Sequence, residues 1–106
     1  MQEIGDKKAV NGLTPTRITQ SMTCFAWNND QSMIAICPNT SEIWVFKTNN
    51  APEDSTKWER FQVLKYHDKI VCSLDWNFKT GLLLSASTDR NVYIWQENDI
   101  INGSKP

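Results

Sequence analysis

The sequence is poor in the residues that most catalytic and metal sites are built from. It has one histidine, His67, and three cysteines, Cys24, Cys37 and Cys72. An odd count with no C-x-x-C pair argues against a disulfide framework. A structural zinc would need a fourth ligand beyond the cysteines, and His67 is the only imidazole on offer. The expected role of the cysteines is therefore as buried apolar thiols. A net charge of −1 excludes a nucleic-acid footprint or a polybasic membrane patch. No apolar run is long enough for a transmembrane helix. The opening MQEIGDKKAV is charged and has no signal-peptide core, so a cytosolic protein is expected. There is no Gly-rich phosphate loop and no paired His/carboxylate metal motif. Asp30, Glu42, Glu53 and Asp54 are scattered acids in turns and read as solvated. No catalytic, cofactor-binding or metal site is expected from these features. A length of 106 residues allows one small domain and no large core.

What the chain does have is aromatics, with five Trp, four Phe and two Tyr, and an internal repeat. The stretch from 21 to 47, SMTCFAWNNDQSMIAICPNTSEIWVFK, lies over 70–96, IVCSLDWNFKTGLLLSASTDRNVYIWQ, at an offset of 49 residues with no gap. Trp27 falls on Trp76 and Asn28 on Asn77. Met33-Ile34-Ala35 falls on Leu82-Leu83-Leu84, and Ile43-Trp44-Val45-Phe46 on Val92-Tyr93-Ile94-Trp95. A period in this range points to propeller blades. The polar loop 48–56 makes it slightly long for a WD40 repeat.

Each unit reads as short strands between turns. Strands are expected near 22–27, 33–37, 42–47 and 57–64, then near 70–76, 82–87 and 91–96. Asn28-Asn29-Asp30, Pro38-Asn39, Lys79-Thr80-Gly81 and Asp89-Arg90-Asn91 supply the turns. No segment has sustained helical periodicity with caps. In Ile43-Trp44-Val45-Phe46 and Val92-Tyr93-Ile94-Trp95 every residue is apolar. Neighbours on a strand point to opposite faces, so both faces of these strands need covering. Blades stacked face to face around a ring meet that need. The predicted class is all-β, with two blades of a WD40 β-propeller. Residues 1–17 read as a flexible lead-in, 18–64 as a degenerate first blade, 65–96 as an incomplete second blade, and 97–106 as a tail or linker toward further blades. Arrays of this kind usually need three or more units, so the chain is expected to be a piece of a longer propeller.

His67, Ser85, Asp89 and Trp95 have the order and spacing of the WD40 structural tetrad. A buried Trp needs an acceptor for its indole N–H. Ser85 can accept it and donate its own proton to His67, whose other ring nitrogen can donate to Asp89. The rival reading is a Ser-His-Asp catalytic triad. No nucleophile elbow surrounds Ser85, and the triad leaves Trp95 unexplained. The first unit lacks the tetrad, with Ile36, Thr40 and Phe46 at the positions of Ser85, Asp89 and Trp95. Trp44 and Trp58 read as strand-face packing, with exposed anchors for a partner as the alternative.

The stretch CFAWNNDQSMIAICPNTSEIWVF resembles the opening blade of the WD40 subunit family of the actin-related protein 2/3 complex. Ala26-Trp27-Asn28 and Ile34-Ala35-Ile36-Cys37-Pro38-Asn39 stand where that family has A-W-N and I-A-I-C-P-N. Lys57-Trp58, Leu64-Lys65 with His67, Asp75-Trp76, and Thr88-Asp89-Arg90-Asn91 followed by Tyr93 and Trp95 continue the match. It covers about residues 18–96. The lead-in and the 48–56 loop are longer than the family's, and its later blades and their inserted segment have no counterpart here. The resemblance implies a non-catalytic scaffold subunit, without a cofactor, in an assembly that nucleates actin branches. Its partners would be the other subunits and, through them, the actin filament, in the cytoplasmic actin cytoskeleton. A WD40 adaptor of another complex is the second reading. A small hydrolase or metal protein built on the cysteines and His67 is the third.

Overall fold

A computed structural model describes residues 21–103. The lead-in expected at 1–17, the first three residues of the predicted first blade and the last three of the tail lie outside the described residues. Seven strands form two antiparallel sheets. The first, in the order β1-β2-β3-β4, contains β1 (Cys24–Trp27), β2 (Met33–Cys37), β3 (Ile43–Lys47) and β4 (Glu59–Leu64). The second, in the order β5-β6-β7, contains β5 (Val71–Trp76), β6 (Leu82–Ser87) and β7 (Val92–Gln96). Both are meanders, as hairpin connections between sequential strands require.

The turn chemistry explains the boundaries. Asn28 and Asn77, paired by the repeat, do the same work after β1 and β5. The Asn28 side chain accepts from the Met33 N–H at 2.9 Å and donates to Ser32 Oγ at 2.9 Å. Asn77 accepts from the N–H groups of Lys79 and Thr80 at 2.9 and 3.1 Å. Gly81 closes the second turn at φ +73°, a conformation glycine reaches without steric cost. Pro38, with no N–H to give a ladder, ends β2. The polar loop after β3 is anchored. Thr48 is fully buried and donates to the Gln31 carbonyl at 2.7 Å, while the Trp58 indole donates to the Ala51 carbonyl at 3.0 Å.

The sheets meet face to face along one apolar core. Met33, Ala35, Cys37, Ile43, Val45 and Leu64 from the first sheet pack with Val71, Trp76, Leu83 and Trp95 from the second. The first strands β1 and β5 lie side by side at one end of the seam. There Thr23 Oγ1 donates to the Val71 carbonyl at 2.6 Å, and the Val71 N–H to the Thr40 carbonyl at 3.0 Å.

The repeat explains which faces touch. Trp76, Leu83 and Trp95 point toward the first sheet. Their equivalents Trp27, Ile34 and Phe46 point away from the second sheet, into a separate cluster with Met22, Ile36, Trp44 and Trp58. Equivalent residues thus face the same rotational direction, as in blades stacked around an axis; a symmetric sandwich would bring equivalent faces together. Both faces of β3 are covered over Ile43–Phe46, as that all-apolar run predicts. On β7 only one face is. Tyr93 and Trp95 face the core, while Val92 and Ile94 are 61% and 52% exposed.

The segment read as a tail differs. Glu97–Asn102 forms a short helix, α1, ended by Gly103 at φ +73°. Ile100 is fully buried in the shared core, and α1 packs beside β7 and β4. Six residues hold too few apolar positions for helical periodicity to register. A single buried isoleucine is what docks them.

Candidate functional site

The four residues singled out in the second unit come together. His67 lies in the link between β4 and β5, Ser85 in the middle of β6, Asp89 in the β6–β7 turn, and Trp95 near the end of β7. In the β6–β7 register Ser85 lies opposite Tyr93, and Trp95 opposite Leu83. Two residues along a strand returns to the same face, so Trp95 projects on the side of Ser85. The Trp95 indole donates to Ser85 Oγ at 3.0 Å, and Ser85 Oγ is 2.8 Å from His67 Nε2. His67 Nδ1 is 3.1 Å from Asp89 Oδ2.

One set of proton positions gives every member of the chain a partner. An indole N–H can only donate, so Ser85 accepts from Trp95 and turns its own proton toward Nε2. In that arrangement Nε2 accepts from Ser85 and Nδ1–H donates to the Asp89 carboxylate. Ser85 is fully buried, and Trp95 and His67 nearly so. The chain of hydrogen bonds therefore runs through a dry interior, where a satisfied network is rigid and an orphaned member is costly.

Asp89 anchors the far end. Its side chain is 5% exposed, so desolvation pushes its carboxyl up. Hydrogen bonds from the Asp68 and Asn91 N–H groups, both 2.8 Å, outweigh this together with the His67 contact. The net result is a pKa lowered to about 2. Ser87 supports the turn from below. Its hydroxyl donates to the Lys69 carbonyl at 2.9 Å and accepts from the Asp89 N–H at 3.1 Å. Sequence reasoning did not single out Ser87. Its position two residues before Asp89, in the pattern of a Ser-turn, was the available signal.

Aromatic rings frame the site. Tyr93 stands 4.7 Å from the His67 ring, and Tyr66 meets Tyr93 and Trp95 edge-on at 5.7 and 5.9 Å. With Ser85 Oγ engaged on both sides and shut off from solvent, the arrangement can hold the β4–β5 link, β6, the β6–β7 turn and β7 together. It offers a substrate carbonyl no path to that oxygen. At the equivalent place on the first sheet Ile36 and Phe46 are buried in an apolar cluster, so packing stands in for hydrogen bonds there. Trp44 and Trp58 are both partly buried in that cluster. The Trp44 indole donates to Glu42 at 3.0 Å, and Arg60 stacks over its ring at 4.7 Å. Among the described residues no His, Cys, Asp and Glu side chains cluster as a metal site, and no helix is long and apolar enough to cross a membrane.

Comparison with known proteins agrees with this architecture. The family "WD domain, G-beta repeat" matches residues 58–96. The matched unit spans β4 of the first sheet and all of the second, including the four-residue chain. Over 79 residues the chain is 42% identical to actin-related protein 2/3 complex subunit 1A of Arabidopsis thaliana, and equally to subunit 1B of the same organism. These alignments cover 74% of this chain and 20% of each relative. Subunit 1A-B of Xenopus laevis is 32% identical over 82 residues, which are 77% of this chain and 21% of the relative. The chain thus spans about a fifth of the length of the curated relatives it matches.

Proposed function

We infer, from a chain that carries a WD40 repeat and is homologous over most of its length to subunit 1 of the actin-related protein 2/3 complex, that it is a non-catalytic scaffold element of that assembly. The observation that carries the reading is the 42% identity to relatives named for the complex. Its partners are then the other subunits, and through them the actin filament whose nucleation and branching the assembly supports. Its place is the cytoplasmic actin cytoskeleton.

The geometry fits a scaffold. His67, Ser85, Asp89 and Trp95 act as a structural tetrad, tying the β4–β5 link, β6, the β6–β7 turn and β7 into one rigid blade. A hydrolase reading of the same residue types fails on access, because Ser85 is fully buried and its hydroxyl is spoken for. The exposed face of the second sheet supports stacking of a further sheet. Val92 and Ile94 stand where Ile43 and Val45 stand on the first sheet, and those two are fully buried by the second.

The test is recovery of partners. The full chain, affinity-tagged and expressed in cells that contain the complex, should co-purify with actin-related proteins and the remaining subunits, as read by quantitative mass spectrometry. Recovery of a stable complex without actin-related proteins overturns this reading in favour of a WD40 adaptor elsewhere.

A further inference from the structure

Cys24 and Cys37 are the candidate that the scaffold role does not absorb. They are direct partners across β1 and β2 in the antiparallel register. Cross-strand partners project on the same face, and here that face is the core shared by the two sheets. Directly opposed residues hold their Cβ atoms roughly 4.5–5.5 Å apart. Cys24 and Cys37 occupy a hydrogen-bonded, wider position of the ladder, and a disulfide needs about 3.5–4.5 Å, so closing one asks for a shift on the order of 1–2 Å. β1 can supply it, being a four-residue strand at the edge of its sheet. The two cysteines face one another across the strand pair, and Thr23 Oγ1 lies 3.7 Å from Cys24 Sγ.

The two thiols differ in a way that suits attack and resolution. Cys24 is partly exposed and Cys37 is buried. Hydrogen bonding from Cys37, opposed by burial and helped by Thr23, brings the Cys24 thiol down to about 7. Cys37 moves the other way, because it gives its hydrogen bond to Cys24 and is desolvated. Cys24 is thus the more acidic and the more accessible of the two thiols, with Cys37 buried behind it. The third cysteine, Cys72, is exposed on β5, where its thiol donates to the Ala86 carbonyl at 3.4 Å. It provides an internal control.

We propose that Cys24 and Cys37 form an oxidant-sensitive modification site, in which a peroxide converts the facing thiols of β1 and β2 into a cross-strand disulfide. The Cys24 thiolate attacks one peroxide oxygen, the O–O bond breaks, and hydroxide (or alkoxide) leaves. Cys24 becomes a sulfenic acid. The Cys37 sulfur then attacks the Cys24 sulfur. The S–S bond forms, the S–O bond breaks, and the departing hydroxide leaves as water with the Cys37 proton. The two thiols lose two electrons and the peroxide gains them. The bridge would pin the edge strand β1 to β2 beside the seam, where Thr23 reaches across to Val71.

The experiment treats the full chain with hydrogen peroxide, blocks remaining thiols with an alkylating reagent, and cleaves the backbone at Asp30 between the two cysteines. Expected is the loss of two of the three alkylatable thiols, with the fragments on either side of Asp30 joined until a reductant is added. Cys72→Ser should leave the joined product unchanged. Cys37→Ala should stop Cys24 at the sulfenic acid, trapped by a dimedone probe. The proposal is overturned if Cys72 oxidises while Cys24 and Cys37 stay reduced. It is equally overturned if Cys24 oxidises with Cys37 still alkylatable, or if the bridge uses Cys72. Should Cys37→Ala fail to fold, the Cys72→Ser chain by itself decides the outcome, since it holds only the proposed pair.

Discussion

Replacing Ser85 with alanine removes one oxygen atom and two hydrogen bonds, and the cost can be worked from the geometry. The Trp95 N–H loses its acceptor at 3.0 Å, and His67 Nε2 loses its donor at 2.8 Å. Trp95 is 1% and His67 6% exposed, so water cannot replace the hydroxyl freely. Leaving a buried polar group unpaired costs about 1–3 kcal/mol. Two such groups, with some relaxation of the His67 ring, give roughly 2–4 kcal/mol. Set against the ~5–15 kcal/mol stability of ordinary domains, that is a large share. The measurement is urea denaturation of the full chain followed by far-UV circular dichroism, comparing Ser85→Ala, Trp95→Phe and the double variant. In the Trp95→Phe background the indole donor is already gone, so Ser85→Ala should cost only its His67 half. The two changes should be non-additive by about 1 kcal/mol or more. A Ser85→Ala cost under ~0.5 kcal/mol, or strict additivity, would refute the reading of a coupled buried chain.

Two further outcomes follow from the same structure. The Asp89 carboxyl lies at about 2 in the folded chain against an ordinary 3.8. A depressed folded value means its stabilising contribution is present above the unfolded pKa and is lost as pH falls toward 2. Acid titration of stability should therefore show a steeper fall below about pH 4 in the native chain than in Asp89→Asn. Equal slopes would count against the Asp68, Asn91 and His67 contacts. Ile100→Ala should destabilise by roughly 2–5 kcal/mol and detach α1 from β4 and β7, seen as faster amide exchange in 97–103. A change of a few tenths would mean that α1 is not docked.

The strands were legible from the sequence because their signals are local. Asn28, Asn77, Pro38 and Gly81 mark turns by their own backbone chemistry, and all seven strands fall within two residues of where the repeat placed them. The hydrogen-bond chain was legible too, since His67, Ser85, Asp89 and Trp95 match in type and order a network whose donors and acceptors balance. The short helix α1 was not. A single buried residue, Ile100, leaves no periodic trace, and its burial depends partly on β4, far away in the chain. For Ser87 only the local half was legible, as a Ser-turn to Asp89; its bond to the Lys69 carbonyl, 18 residues away, needs the fold.

The sequence alone determined that this chain makes two related β units with apolar residues on both sides of their third strands, because alternation and turn propensity act between near neighbours. Tertiary structure decided how those sides are used. Stacking turns Trp76 and Trp95 toward the first sheet and their equivalents Trp27 and Phe46 away from the second. It puts Cys24 opposite Cys37, and it leaves Val92 and Ile94 uncovered among the described residues. Which face meets which neighbour depends on the packing of whole sheets, and no window of sequence contains that information.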